Sequence, residues 1–285
     1  MQYPPSGRSD RIPPESRIGD YNVVSEVLVE ETGIVYEAKH VLLPRRVMLK
    51  IMHSGSWSRA IAMAVLREAC LLEALSHPGI PRVFECGVLP DRRPWTAFEL
   101  IEGTTIAELQ RNGPMPVADV IGMLRDVSDL LVHAHGRGVV HRQLTARTIV
   151  KTAERAVGYA VVSWDNALTL DANSHVLLDT RDDVLALGVI AFRALTGVMP
   201  DFQLTRDAFP AAPPELAALI DQMLATEPVA RPTSADVKER AHWLAITSEP
   251  IKPRWTPPYG SLDDKIPPGA NDGGFAIRIS RTRSS

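Results

Sequence analysis

The chain has 285 residues, with 31 Lys and Arg against 34 Asp and Glu, for a formal net charge of −3. Its 45% hydrophobic content can fill a sizeable core, and the charge balance leaves no footprint for nucleic acid or an anionic membrane surface. Cys70 and Cys86 sit among apolar neighbours without C-x-x-C spacing, which argues against a disulfide framework or a zinc site and predicts buried free thiols.

Residues 1–19 are rich in Pro, Ser and Arg with no apolar period and predict a flexible tail; they lack the apolar core of a signal peptide. Short β-branched or aromatic runs at 21–28, 33–40, 46–52, 82–88 and 95–100 predict a five-stranded sheet. One helix interrupts them at 59–75, where Ile61, Val65, Leu66, Ala69, Leu72 and Leu75 fall on one stripe. Helices are then predicted at 117–136, 183–196, 214–225 and 234–244, and a second Pro-rich tail at 248–285. The longest apolar stretch, 185–199, contains Arg193 and is too short to span a bilayer, so the expected location is the cytoplasm. Pattern alone supports an α+β fold.

Several short elements then follow in order. Val47, Met48, Leu49 and Lys50 lie on the third strand; Arg67, Glu68 and Ala69 lie on the first helix; Phe98, Glu99, Leu100 and Ile101 lead out of the fifth strand. The long helix runs into His141, Arg142, Gln143, Leu144, Thr145, Ala146, Arg147 and Thr148, after which come Ser163, Trp164, Asp165 and Asn166. Asp182 and Asp183 open the next helix, and Arg231 and Pro232 come late.

Read together from 21 to 247, these elements resemble the Hanks-type Ser/Thr protein kinases, especially their bacterial branch. The resemblance implies a bilobal fold: a β-rich N-lobe with hinge over 20–103 and a helical C-lobe over 104–247. It implies that Lys50 faces nucleotide phosphates and is held by Glu68, and that Phe98, Glu99 and Ile101 line the hinge. Asp165 matches the magnesium aspartate, Asp183 the residue that braces the catalytic loop, and His141, Arg142 and Arg231 structural positions.

The departures are chemical. In the family's loop H-R-D-x-x-x-x-N the Asp is the base and the Asn a metal ligand. Here Gln143 and Thr148 stand there, and Thr145 replaces a phosphate-contacting lysine. An amide cannot take up a proton near neutral pH. Of the glycine-rich loop only Gly33 remains, with Leu28 and Glu30 at the other two positions; the Glu30 carboxylate is expected to repel phosphates. Met48 replaces a small alanine and is expected to plug the adenine slot.

Asn166 and Ala167 replace the Phe and Gly after Asp165. The segment 166–182 is well short of the family's usual room and has no A-P-E element. Thr169, Ser174 and Thr180 are therefore poor phosphosites, and Arg231 loses its expected partner.

No catalytic residue is expected. The chain reads as a pseudokinase that binds a protein partner, such as an active kinase or another signalling protein. The alternatives are a nucleotide switch without transfer and a weak or non-standard Ser/Thr kinase or kinase-fold transferase. ATP with Mg²⁺ is then held weakly or not at all, through Gly33, Lys50, Glu68 and Asp165.

Overall fold

Alternation with a period of two sorts the strands of the first lobe into a core face and a cleft face. In the computed structural model, which describes residues 10–54, 59–170 and 179–248, Ile34, Tyr36 and Ala38 are buried in the lobe core with Val47, Leu49 and Ile51. The intervening Val35, Met48 and Lys50 face the cleft between the lobes.

The strands are β1 (Arg17–Ile18), β2 (Tyr21–Val29), β3 (Gly33–His40) and β4 (Arg46–Met52), then β5 (Val83–Val88) and β6 (Pro94–Glu99) after helix α1 (Arg59–Leu75). They form one antiparallel sheet in the order β1-β2-β3-β4-β6-β5. Gly33 is retained for packing: a Cβ there would lie 2.4 Å from the carbonyl oxygen of Ile51 on β4.

Past the hinge, β7 (Thr104–Thr105) and α2 (Ile106–Leu109) enter the second lobe, followed by α3 (Val117–His135). The apolar stripe of α3, Val120, Leu124, Val127, Leu131 and Ala134, is fully buried, as its spacing predicts. Short strands β8 (Val139–Val140), β9 (Ile149–Lys151), β10 (Tyr159–Val161) and β11 (Leu168–Thr169) carry the loops of the cleft. They are followed by α4 (Thr180–Thr196), α5 (Thr205–Ala208), α6 (Pro214–Met223) and α7 (Ser234–Ser248).

Helix α4 starts three residues before its apolar period, because the Asp179 side chain accepts from the Arg181 N–H at 2.8 Å and caps it. It ends at Gly197, whose φ of 81° is the left-handed stop. The bilobal α+β architecture is the one expected.

Two expectations are corrected. Residues 10–19 are packed rather than tail-like. Ile18 is buried in the N-lobe core, Asp10 is 5% exposed, and the Ile12 N–H donates to the Tyr36 hydroxyl at 2.9 Å. Dense prolines hid the two apolar anchors, and β1 adds a sixth strand to the five expected. Cys70 and Cys86 are free but exposed, since α1 turns Cys70 outward and β5 is an edge strand. Residues 1–9, Ser174 and the tail beyond Ser248 lie outside the described residues. No helix among the described residues is long and apolar enough to cross a membrane.

Candidate functional site between the lobes

A cavity of about 260 Å³ lies under the sheet and is closed by the hinge and the start of the second lobe. Apolar side chains wall it on both sides: Val27, Val35 and Met48 from the N-lobe, Val150 and Val162 from the C-lobe. Met48, expected to fill this slot, instead lines its wall. Phe98, Glu99 and Ile101 line the hinge side. The Glu99 carboxylate is engaged elsewhere, by Arg155 at 3.0 Å and the Arg82 N–H at 3.1 Å.

The inner end is a cluster of four ionisable groups. Lys50 Nζ lies 2.5 Å from Asp165 Oδ1 and 3.0 Å from Glu30 Oε2. Glu68, expected to hold Lys50, is the strongest of the three carboxylates acting on it and also lies against Asp165. Burial works against a charge on Lys50, but Glu68, Asp165 and Glu30 outweigh it and raise its pKa. Burial first, then the Asp165 charge, push Glu68 well above the usual carboxylate range. Burial opposes ionisation of Asp165 too, yet Lys50 and the Glu68 hydrogen bond bring its pKa down. The two shifts are opposite in direction, as expected where two carboxyl groups lie close together beside one cation.

Glu30 is positioned rather than loose. Its N–H donates to Gly33 O at 2.8 Å, and its carbonyl accepts from His53 Nε2 at 3.0 Å. His53 Nδ1 in turn faces Asp10 Oδ2 at 3.3 Å, and Asp10 is bonded by the Ser54 hydroxyl and, through its carbonyl, by Arg93 Nη1 at 2.6 Å. Neither His53 nor Asp10 was singled out in the sequence; a lone His after an apolar strand carries no signal of its own.

The catalytic-loop positions are occupied with one another. The Asn166 side-chain amide donates to the Gln143 side-chain oxygen. The Thr148 hydroxyl donates to Thr145 O at 2.9 Å and accepts from the Thr145 N–H at 3.0 Å, closing a local turn. Asp183, 1% exposed, accepts from the His141 N–H at 2.8 Å, the Arg142 N–H at 2.7 Å and His135 Nε2 at 3.0 Å. Burial lowers the His141 pKa despite Asp183, and its ring packs edge-on against buried Trp164 at 4.6 Å.

Arg142 has a φ of 68°, an unfavourable region for a side chain of its size that the two bonds to Asp183 sustain. Arg231 has a partner that sequence could not name: Asp182 at 3.1 Å, with the carbonyls of Ala225 and Thr226 at 2.9 and 3.1 Å.

A nucleotide with magnesium does not fit these residues as they stand. The ammonium of Lys50 and the carboxylate of Asp165 pair with each other, Glu30 is a second partner of Lys50, and the Thr148 hydroxyl is spent on its own turn. No group of three or more His, Cys, Asp or Glu among the described residues is placed to hold a metal ion.

Residues 25–175 match the family model described as protein tyrosine and serine/threonine kinase, so the chain belongs to the protein kinase family. It is 32% identical over 216 residues to the serine/threonine-protein kinase PknL of Mycobacterium tuberculosis, a match covering 67% of this chain and 53% of that protein. It is 28% identical over 193 residues to the serine/threonine-protein kinase pkn2 of Myxococcus xanthus, covering 59% and 23%. The chain thus spans from about a quarter to about half the length of these relatives. The crystal structure of the Mycobacterium tuberculosis PknI kinase domain superposes with a TM-score of 0.65 at 20% identity, covering 82% of this chain and 99% of that one.

Proposed function

We propose that this kinase-family chain is catalytically impaired and acts in signalling by binding a protein partner in the cytoplasm. The observation that carries this reading is the catalytic loop. Gln143, at the base position, has its side-chain oxygen engaged by Asn166, and Thr148, at the metal position, is engaged by its own turn. A positioned general base contributes roughly 10²- to 10⁴-fold to such a reaction, and positioning and charge stabilisation supply most of the rest. The preserved braces, Asp183 to the loop and Arg231 to Asp182, keep the lobe shape that a docking partner reads.

Phosphotransfer is the competing reading, favoured by the similarity to proteins named as Ser/Thr kinases. The test is incubation of the full chain with γ-labelled ATP and Mg²⁺ or Mn²⁺, alone and with a panel of protein substrates. No incorporated label is expected. Incorporation that Lys50→Ala abolishes would overturn the proposal.

A further inference from the structure

The segment ahead of the sheet, residues 10–16, is pinned at both ends. At the first, Asp10 is almost fully buried; its carboxylate accepts from the Ser54 hydroxyl and faces His53 Nδ1 at 3.3 Å, and its carbonyl accepts from Arg93 Nη1 at 2.6 Å. Two residues on, the Ile12 N–H donates to the buried Tyr36 hydroxyl at 2.9 Å. At the other end the Glu15 N–H donates to Val23 O at 2.8 Å, and Ser16 O accepts from the Val23 N–H at 2.9 Å. Glu15 has a φ of 64°, a costly region for a residue with a side chain, sustained by the bonds on either side of it. That strain is relieved as soon as the pinning bonds let go.

His53 connects this segment to the cleft. It stands just after β4, with its N–H donating to Thr32 O at 3.2 Å and Nε2 lying 3.0 Å from Glu30 O. A carbonyl oxygen only accepts, so Nε2 carries a hydrogen and Nδ1 is the nitrogen turned to Asp10. Nδ1 is buried and makes no hydrogen bond among the described residues, so the Asp10 carboxylate is the one polar group that holds that side of the ring. The orientation of the ring is therefore set from both sides, by Asp10 on the segment and by Glu30 on the turn. Glu30 in its turn donates its N–H to Gly33 O at 2.8 Å and keeps its carboxylate 3.0 Å from Lys50 Nζ.

We infer that residues 10–16 are a regulatory strap whose seating is relayed through His53 to the Glu30–Gly33 turn, so that drawing the strap off the sheet frees Glu30 from Lys50. The relay runs from Asp10 to His53, from His53 to Glu30 and from Glu30 to Lys50, each step a side-chain contact between segments far apart in sequence. A protein partner that captures the strap changes the charged end of the cleft without entering it. The relay holds whether or not the chain transfers phosphate, so it stands or falls separately from the proposed function.

The experiment is amide hydrogen exchange, read by NMR on the full chain, for wild type, Asp10→Ala, His53→Gln and the double variant. A glutamine amide nitrogen replaces Nε2 at Glu30 O and offers nothing at the Nδ1 position, so His53→Gln cuts the relay while leaving the turn its donor. In Asp10→Ala the Glu30 amide is expected to exchange at least roughly tenfold faster than in wild type, with β5 and β6 within about twofold. In the His53→Gln background the same Asp10 substitution is expected to change Glu30 exchange by less than about twofold, the signature of a broken coupling. The inference is overturned if Asp10→Ala leaves the Glu30 amide at its wild-type rate, if it accelerates β5 and β6 equally, or if its effect persists undiminished beside His53→Gln.

Should Asp10→Ala fail to fold, wild type alone decides the matter. At low urea the Ile12 and Glu30 amides are expected to open together, ahead of the rest of β3 and β4. Independent opening of those two amides overturns the inference.

Discussion

Lys50 and Asp165, 115 residues apart in sequence, meet at 2.5 Å and close the cleft between the lobes with an ion pair. A lysine and a metal-binding aspartate that would each serve a ligand are here each other's partner. Glu30 completes the pairing from the N-lobe side at 3.0 Å. The pair links a strand of the first lobe to a loop of the second.

Lys50→Ala should therefore destabilise the fold rather than only weaken ligand binding. Removing one partner of a fully buried pair costs 3–5 kcal/mol, and because the Glu30 and Asp165 side chains are 19% and 25% exposed the expected loss is about 2 kcal/mol. Urea denaturation would measure it; a change within a few tenths of a kcal/mol would mean that the pair is solvated and contributes little.

Glu68 predicts a pH response. Its folded-state pKa is raised by burial and by Asp165, so the native state binds a proton that the unfolded chain has already released. Between the ordinary Glu value and that raised value, stability falls as pH rises. Glu68→Gln, which cannot ionise, should flatten this decline across neutral pH and melt higher than wild type at pH 8 than its relative position at pH 4 would suggest. Parallel thermal melts of the two proteins between pH 4 and 8 give the comparison, and superimposable pH profiles would refute it.

Asp183 holds two backbone N–H groups and His135 in an almost fully buried site. Asp183→Ala leaves those donors without an acceptor, at a cost of about 3 kcal/mol when hydrogen bonds to a charged group are lost. Hydrogen exchange should show the amides of His141 and Arg142 losing protection before the rest of the C-lobe. Uniform loss across the lobe would instead mean that Asp183 acts on global stability only.

Gly33→Ala tests why the last glycine of the loop remains. The added Cβ would meet a backbone carbonyl 2.4 Å away on β4, which must shift the β3–β4 pairing, so a loss of about 1–3 kcal/mol is expected. If ligand binding changed while the denaturation midpoint did not, the glycine would be serving the cleft and not the sheet.

Much of the fold was legible because its signals are local. The period of α1 and α3 and the alternation of β3 and β4 need only a window of residues, and the observed helix Arg59–Leu75 and strands Gly33–His40 and Arg46–Met52 coincide with the expected ranges. Lys50, Glu68 and Asp165, widely spaced in the sequence, line one cavity, while Asp183 is buried beneath the loop at His141 and Arg142. The packing of residues 10–19 was not legible, since Ile12 and Ile18 are too few among prolines to make a pattern.

What the sequence determined by itself was residue chemistry and order: an amide at the base position, a hydroxyl at the metal position, a carboxylate where a glycine would be. Tertiary structure alone decided which of these groups meet. Glu30 was expected only to repel a ligand, and its carboxylate is also 3.0 Å from Lys50; Glu68 was expected at Lys50, and acts on both Lys50 and Asp165; Met48 was expected in the slot, and lines it. Pairing among several ionisable groups depends on distances of a few ångströms between segments far apart in the chain, and on burial that no local window contains.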